Sequence, residues 1–268
     1  MDYFAPAVVP LPPSRPLPSP PLPPSGRPYV LVCGLVLALV VVAVVLSVRR
    51  VQAAAVGGVF AVTTDAASSW GPTWVDERGR PARWDPCTPI RFVVQAGWVP
   101  EAGRADLAEA LRRLSAASGL QFTNDGDTTE LPALARKPYQ PGRYGERWAP
   151  LLIGWVPAAS TDLGLGAGVQ GVSRSVAVAG RDGASIVSGQ VVLDASHPLA
   201  PGFGPGTTGG EVLLHELAHA VGLGHVLDPT QVMYPQTTSS ESAFGAGDRA
   251  GLAAVGAAAG CRTAPGPA

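Results

Sequence analysis

The chain has 268 residues, enough for one catalytic-sized domain with appendages and too few for two large domains. Its formal net charge is −1 and Lys137 is its only lysine, so it carries no basic footprint and nucleic-acid binding is excluded as a main role. Apolar residues make up 46% against 15% charged, with a mean hydropathy of +0.21, so part of the chain is expected in lipid. The 33 glycines and 28 prolines demand much irregular backbone, and three cysteines exclude a disulfide-dense miniprotein.

Residues 1–28 hold eleven prolines and no helical or strand period, which predicts an extended polyproline-II tail. Its PxxP spacings, Pro10–Pro13 and Pro13–Pro16, follow from composition alone, and the segment reads as a spacer. Tyr29 to Val48 is twenty residues without a charge. As a helix it would span roughly 30 Å, the thickness of a bilayer's hydrocarbon core. A cleaved signal peptide is the alternative, with Ala53-Ala54-Ala55 as its cleavage site. A secretory apolar region, however, is usually ~7–15 residues and does not normally follow a long proline tail. With Arg49-Arg50 as an interfacial stop, residues 29–48 are read as one uncleaved transmembrane helix contacting membrane lipid, with Cys33 a small apolar residue inside it. The short tail favours the N-terminus inside, giving a single-pass cell-membrane protein with the bulk of the chain extracellular. Residues 49–70 read as a stalk, and 71–268 as the folded domain.

Within that domain Ile90–Gln95 alternates as a strand, with Ile90, Phe92 and Val94 on one face. Residues 101–118 place Leu107, Leu111, Leu114 and Ser118 at helical spacing, and Gly119 supplies a stop. Leu120–Thr123 reads as a second short strand and Leu151–Val156 as a central strand, apolar on both faces. The Gly-rich stretch 164–171, then Val172–Val178 and Gln190–Asp194, predict an edge strand, a loop and a fifth strand. The class is α/β (α+β).

Chemistry concentrates in Gly209 to His225. Thr208 and Glu211 form a capping box, so a helix should start there. On it His215 and His219 are four apart, one turn above the other, close enough to grip one cation. Glu216 is placed beside the metal, where its carboxylate can hold a water without being a ligand. Gly222 can take a left-handed conformation that ends the helix and brings His225 back toward the same ion. Three neutral imidazoles with an open fourth position suit catalytic zinc, whereas structural zinc usually has four protein ligands. Three of the four histidines lie in this one motif.

HELAHAVGLGH, followed by Asp228-Pro229 and Met233-Tyr234-Pro235, resembles the metzincin clan and within it the matrixins. The segment 247–252 resembles the start of that family's last helix. The likeness is tight over 211–235, looser over about 84–261, and absent from the tail and anchor. It implies a metzincin-like domain with a five-stranded mixed sheet and three helices. It also implies zinc on His215, His219 and His225, Glu216 as general base, and Met233 as the apolar floor called the Met-turn. Tyr234 and Pro235 would wall a side-chain pocket, and the substrate would be a peptide or protein.

Departures from the family are informative. A second, structural zinc needs a histidine where Val192 stands, so none is expected. Asp194 matches a calcium-ligand position, but His197 stands in place of a later acidic partner, which leaves calcium an incomplete ligand set. His197 itself is expected on the surface. The inhibitory cysteine segment is missing. Cys87 and Cys261 bracket the domain; a bridge between them would be worth at most about 4–5 kcal/mol in the chain-entropy model and needs an oxidising space. Two buried free thiols are the alternative. The function expected is a membrane-anchored zinc endopeptidase, and the rival is a catalytically silent, zinc-stabilised surface binding module. The sequence leaves the oligomeric state open.

Overall fold

The computed structural model describes residues 70–204, 206–236 and 243–267. The proline-rich tail, the expected span 29–48 and the stalk up to residue 69 lie outside the described residues; Trp70, expected at the end of the stalk, instead packs against the domain core beside Gly251. Among the described residues no helix is long and apolar enough to cross a membrane.

The elements in order are β1 (Ile90–Gln95), α1 (Gly103–Ser118), β2 (Phe122–Thr128), a single turn α2 (Pro141–Tyr144), β3 (Leu151–Val156), β4 (Gly171–Gly180), β5 (Gly183–Asp194), α3 (Gly209–Val221) and α4 (Ala246–Val255). The sheet order is β2-β1-β3-β5-β4. β1, β2, β3 and β5 are parallel, while β4 forms an antiparallel hairpin with β5 and is an edge strand. The five-stranded mixed sheet expected from the sequence is present, as are three helices of ten residues or more.

The helices lie against one face of the sheet. Ile90, Phe92, Val94, Leu151, Ile153, Val191 and Leu193 from the strands share a core with Leu107, Leu111 and Leu114 of α1 and Leu213, Leu214 and Leu217 of α3. The register that aligns Phe92 with Leu151 and Leu152 with Gln190 puts Gln95, Gly154, Ser188 and Gln190 on the opposite face. That polar face is covered by residues 130–150. Gln190 exchanges two hydrogen bonds with the Ala133 backbone, accepting at 3.2 Å and donating at 2.8 Å. The Arg136 guanidinium donates to Ser188 Oγ and to the Gly189 and Pro150 carbonyls, and pairs with Glu130 at 3.1 Å. These side chains are thus partnered where they are buried, which keeps a polar strand face from being a liability.

Two element boundaries differ from expectation. β2 starts at Phe122 rather than Leu120 and runs on through Asn124–Thr128. Leu120 is wholly buried in the core. The polar residues that follow are strand because they pair along β1 and take ion pairs such as Arg91–Asp125. The loop expected before Gln190 is instead a two-residue hairpin turn, Arg181-Asp182, with Gly183 at φ 112°. β5 therefore begins seven residues early; its Ser185, Ser188 and Gly189 hide a strand that tertiary hydrogen bonds complete.

Cys87 and Cys261 form a disulfide with Cα atoms 5.4 Å apart across a sequence separation of 174. Beyond it, Arg262 lies buried against the hairpin, donating to the Ala184 and Asp182 carbonyls. The domain's two ends are thereby tied.

Candidate active site

α3 begins at the expected capping box: Thr208 Oγ1 accepts from the Glu211 N–H, and the Glu211 carboxylate accepts from the Thr208 N–H. The helix ends at Gly222, φ 119°, whose N–H reaches the His219 carbonyl. A side chain would not fit there, since a Cβ would lie 2.9 Å from the Ala82 carbonyl oxygen. Residues 222–224 are then held by the segment before β1. Gly224 N–H donates to the Gly71 carbonyl at 2.6 Å and Thr73 N–H to the Gly222 carbonyl at 2.8 Å. This turn carries His225 back over the helix.

The three imidazoles converge. His215 Nε2 and His219 Nε2 stand 3.2 Å and 3.0 Å from His225 Nε2. His215 Nδ1 donates to the Val232 carbonyl and His219 Nδ1 to the Leu223 carbonyl, both at 2.6 Å. A carbonyl oxygen can only accept, so the hydrogens sit on Nδ1 and both Nε2 atoms present lone pairs to the centre. Burial holds the rings neutral, lowering His215 to about 4 and His219 to about 3, and lowering His225 as well. Three ring nitrogens held this close can share one cation. Tetrahedral zinc with ~2.0–2.1 Å bonds to nitrogen separates its ligands by roughly 3.3 Å, so the spacing fits. The Leu223 carbonyl also accepts from Thr73 Oγ1 at 2.6 Å, so both hydrogen bonds bear on the orientation of His219.

Glu216 lies beside the triad and is buried, which pushes its carboxyl up to about 8. Its neighbour is Gly171 at the start of β4. A Cβ there would fall 2.7 Å from Glu216 Cγ and 2.8 Å from Val212 Cγ1, so the absent side chain lets the edge strand lie against the carboxylate. β4 and Glu216 together border a cleft of about 650 Å³, which His215, His219, His225, Tyr234 and Pro235 also line.

Met233 is buried in the turn after His225, where its carbonyl accepts from Val226 N–H at 3.0 Å. The turn is clamped by Asp248 of α4, which is fully buried. Its carboxylate accepts from the N–H groups of Val232 at 2.7 Å, Gly245 at 2.9 Å and Met233 at 3.3 Å. Burial raises the Asp248 carboxyl above its ordinary value, although these bonds pull the other way.

Each residue singled out from the motif thus falls at one place, while Cys87 and Cys261 bridge elsewhere. His197 is exposed as expected and pairs with Asp194 at 2.9 Å; the Asp194 carboxylate also accepts from Ala158 and Ser196 N–H groups. Val192 is buried in β5. Sequence reasoning missed Gly171, Thr73 and the clamp by Asp248. For Asp248 a signal existed: it stands three residues after Gly245, the N-terminal capping position of α4.

Residues 153–255, which include most of β3, all of β4 and β5 and the whole triad, match the matrixin family model. No curated protein matches the chain. The sheet, the His triad and that match together make this domain matrixin-like, of the metzincin protease type.

Proposed function

We propose that the protein is a membrane-tethered zinc endopeptidase. The reading is carried by one observation: a buried carboxylate, Glu216, stands beside three converging imidazoles and opens onto a cleft bordered by an edge strand. His215, His219 and His225 would hold the zinc ion. When bound, that ion supplies Lewis acidity to a peptide carbonyl and acidifies a water molecule.

The protein's own groups do the rest. An extended substrate adds to β4 through main-chain hydrogen bonds, a mode that makes no demand on side chains. Glu216 takes a proton from the attacking water and delivers it to the leaving amine nitrogen. Burial suits Glu216 to hold that proton between the two steps. The Val232 and Leu223 carbonyls keep His215 and His219 in the tautomer that presents Nε2. Tyr234 and Pro235 border the cleft where a substrate side chain enters.

A purified chain incubated with casein should cleave it, and a chelator should abolish the cleavage. Glu216→Ala should keep stoichiometric zinc and lose nearly all turnover; undiminished cleavage by that variant refutes the assignment. A surface module that merely holds zinc would cleave nothing in either form. The anchor reading rests on the uncharged run 29–48 and places the domain outside the cell. Resistance of membranes to alkaline extraction, with the domain open to external protease on intact cells, tests it.

A further inference from the structure

A second groove opens at the carboxyl ends of the parallel strands, on the side of α1 and α3. Its volume, about 640 Å³, is close to that of the catalytic cleft. Trp98 and Pro100 after β1, Trp155 of β3, Leu213 of α3 and Leu199 after β5 contribute its apolar walls. Trp98 leaves 40% of its surface open, while Trp155 is buried. Glu101, Asp106 and Asp194 also line it, and among the described residues no Lys, Arg or His does; Asp106 is held by the Gly202 N–H and Asp194 by His197, which leaves Glu101 open. Crevices outside the carboxyl ends of strands are where open α/β sheets take their ligands.

Groove and cleft are neighbours, with Leu199 lining both. On α3 the division falls between successive residues, Val212 toward the cleft and Leu213 toward the groove. Topology sets the direction of travel. β4 is antiparallel to β5, so a peptide added antiparallel to β4 runs the same way as β5, from the Gly180 end toward Gly171. It passes Glu216 at Gly171 and leaves the sheet where β5 ends at Asp194 and the loop carrying Leu199 begins. The part of a substrate that reaches this loop is the part downstream of the cut.

We infer that this groove is a second substrate-binding site, taking an apolar or aromatic side chain with a basic neighbour from the downstream flank of a protein substrate. The inference rests on the peptidase reading and on substrate pairing with β4. The exposed Glu101 carboxylate selects the basic residue, and the indole of Trp98 supplies a face for the apolar one.

The test uses the full chain in detergent with three peptides cleaved at the same bond. One stops two residues past the cut. A second continues for about six more, roughly 20 Å of extended chain, and carries Trp and Arg there. A third has that length with Ser and Glu instead. The second should show a KM about five- to tenfold below the first at similar kcat, the scale of one side chain's burial, and the third should not. Trp98→Ala should collapse the ratio between long and short peptides to within about twofold. Glu101→Gln should shrink only the part that depends on Arg.

A wild-type chain indifferent to the flank overturns the inference. So does a preference that survives Trp98→Ala. Calorimetry of the flank peptide alone on the Glu216→Ala variant reads the groove without turnover. Flank binding without any cleavage sinks only the peptidase reading, and cleavage without length dependence sinks only the groove.

Discussion

Removing the Asp248 carboxylate should damage fold and metal site together. Its two oxygens receive three backbone N–H groups, from Val232 and Gly245 on one and from Met233 on the other. The site is wholly buried, so water cannot replace them. An unsatisfied buried donor costs about 1–3 kcal/mol. In Asp248→Asn the side-chain oxygen can serve the Val232 and Gly245 groups, leaving the amide nitrogen against Met233 N–H, a single donor–donor conflict. That variant should lose about 2–3 kcal/mol. Asp248→Ala strands all three donors and should lose about 4–5 kcal/mol after partial relaxation, a drop of roughly 10–20 °C in Tm for a domain of this size. Because the Val232 carbonyl holds His215 Nδ1, loosening this turn should also weaken zinc binding about 10–100-fold. Urea unfolding of the metal-free protein gives the first quantity, and competition with a chromophoric chelator gives the second. An Ala variant within about 1 kcal/mol of wild type, with unchanged zinc affinity, would refute the clamp.

Three further outcomes are expected. Gly171→Ala should push Glu216 from its place at a cost of about 1–3 kcal/mol, lowering kcat while zinc content stays at one per chain; unchanged kcat would show that β4 does not press on Glu216. Glu130 is buried, which raises its carboxyl, but hydrogen bonds from Arg136, Tyr144 and Gln140 outweigh this and hold it below its ordinary value. A carboxyl depressed in the fold adds stability above its unfolded pKa and loses that contribution as pH falls through the folded value. The stability gap between wild type and Glu130→Gln should therefore be widest above about pH 4.5 and close below it, as urea titrations across pH would record. Paired Cys87→Ser and Cys261→Ser substitutions open a loop spanning 174 positions and should lower stability by at most about 4–5 kcal/mol; a variant as stable as wild type under oxidising conditions would remove the bridge from the account of the fold.

The metal triad was legible in the sequence because its determinants are local. A four-residue spacing on a helix, a capping box at Thr208 and Glu211 and a glycine at 222 act over one or two turns, and helical geometry alone brings His215 and His219 together. β1 and β3 were legible for a similar reason, their alternating or continuous apolar runs being properties of short segments. The return of His225 could be anticipated from Gly222, but its docking needed Gly71 and Thr73, about 150 residues away. The polar β5 looked like loop because its partners are Arg136 and Ala133, brought across the sheet by an excursion with no period of its own. Gly171 against Glu216, Asp248 under the Met233 turn and the groove beside Leu199 likewise belong only to the folded chain. Spacing along the backbone decides which ligands can share one face; only packing between distant segments decides what holds those ligands still, what desolvates the carboxylate beside them and where a substrate can lie.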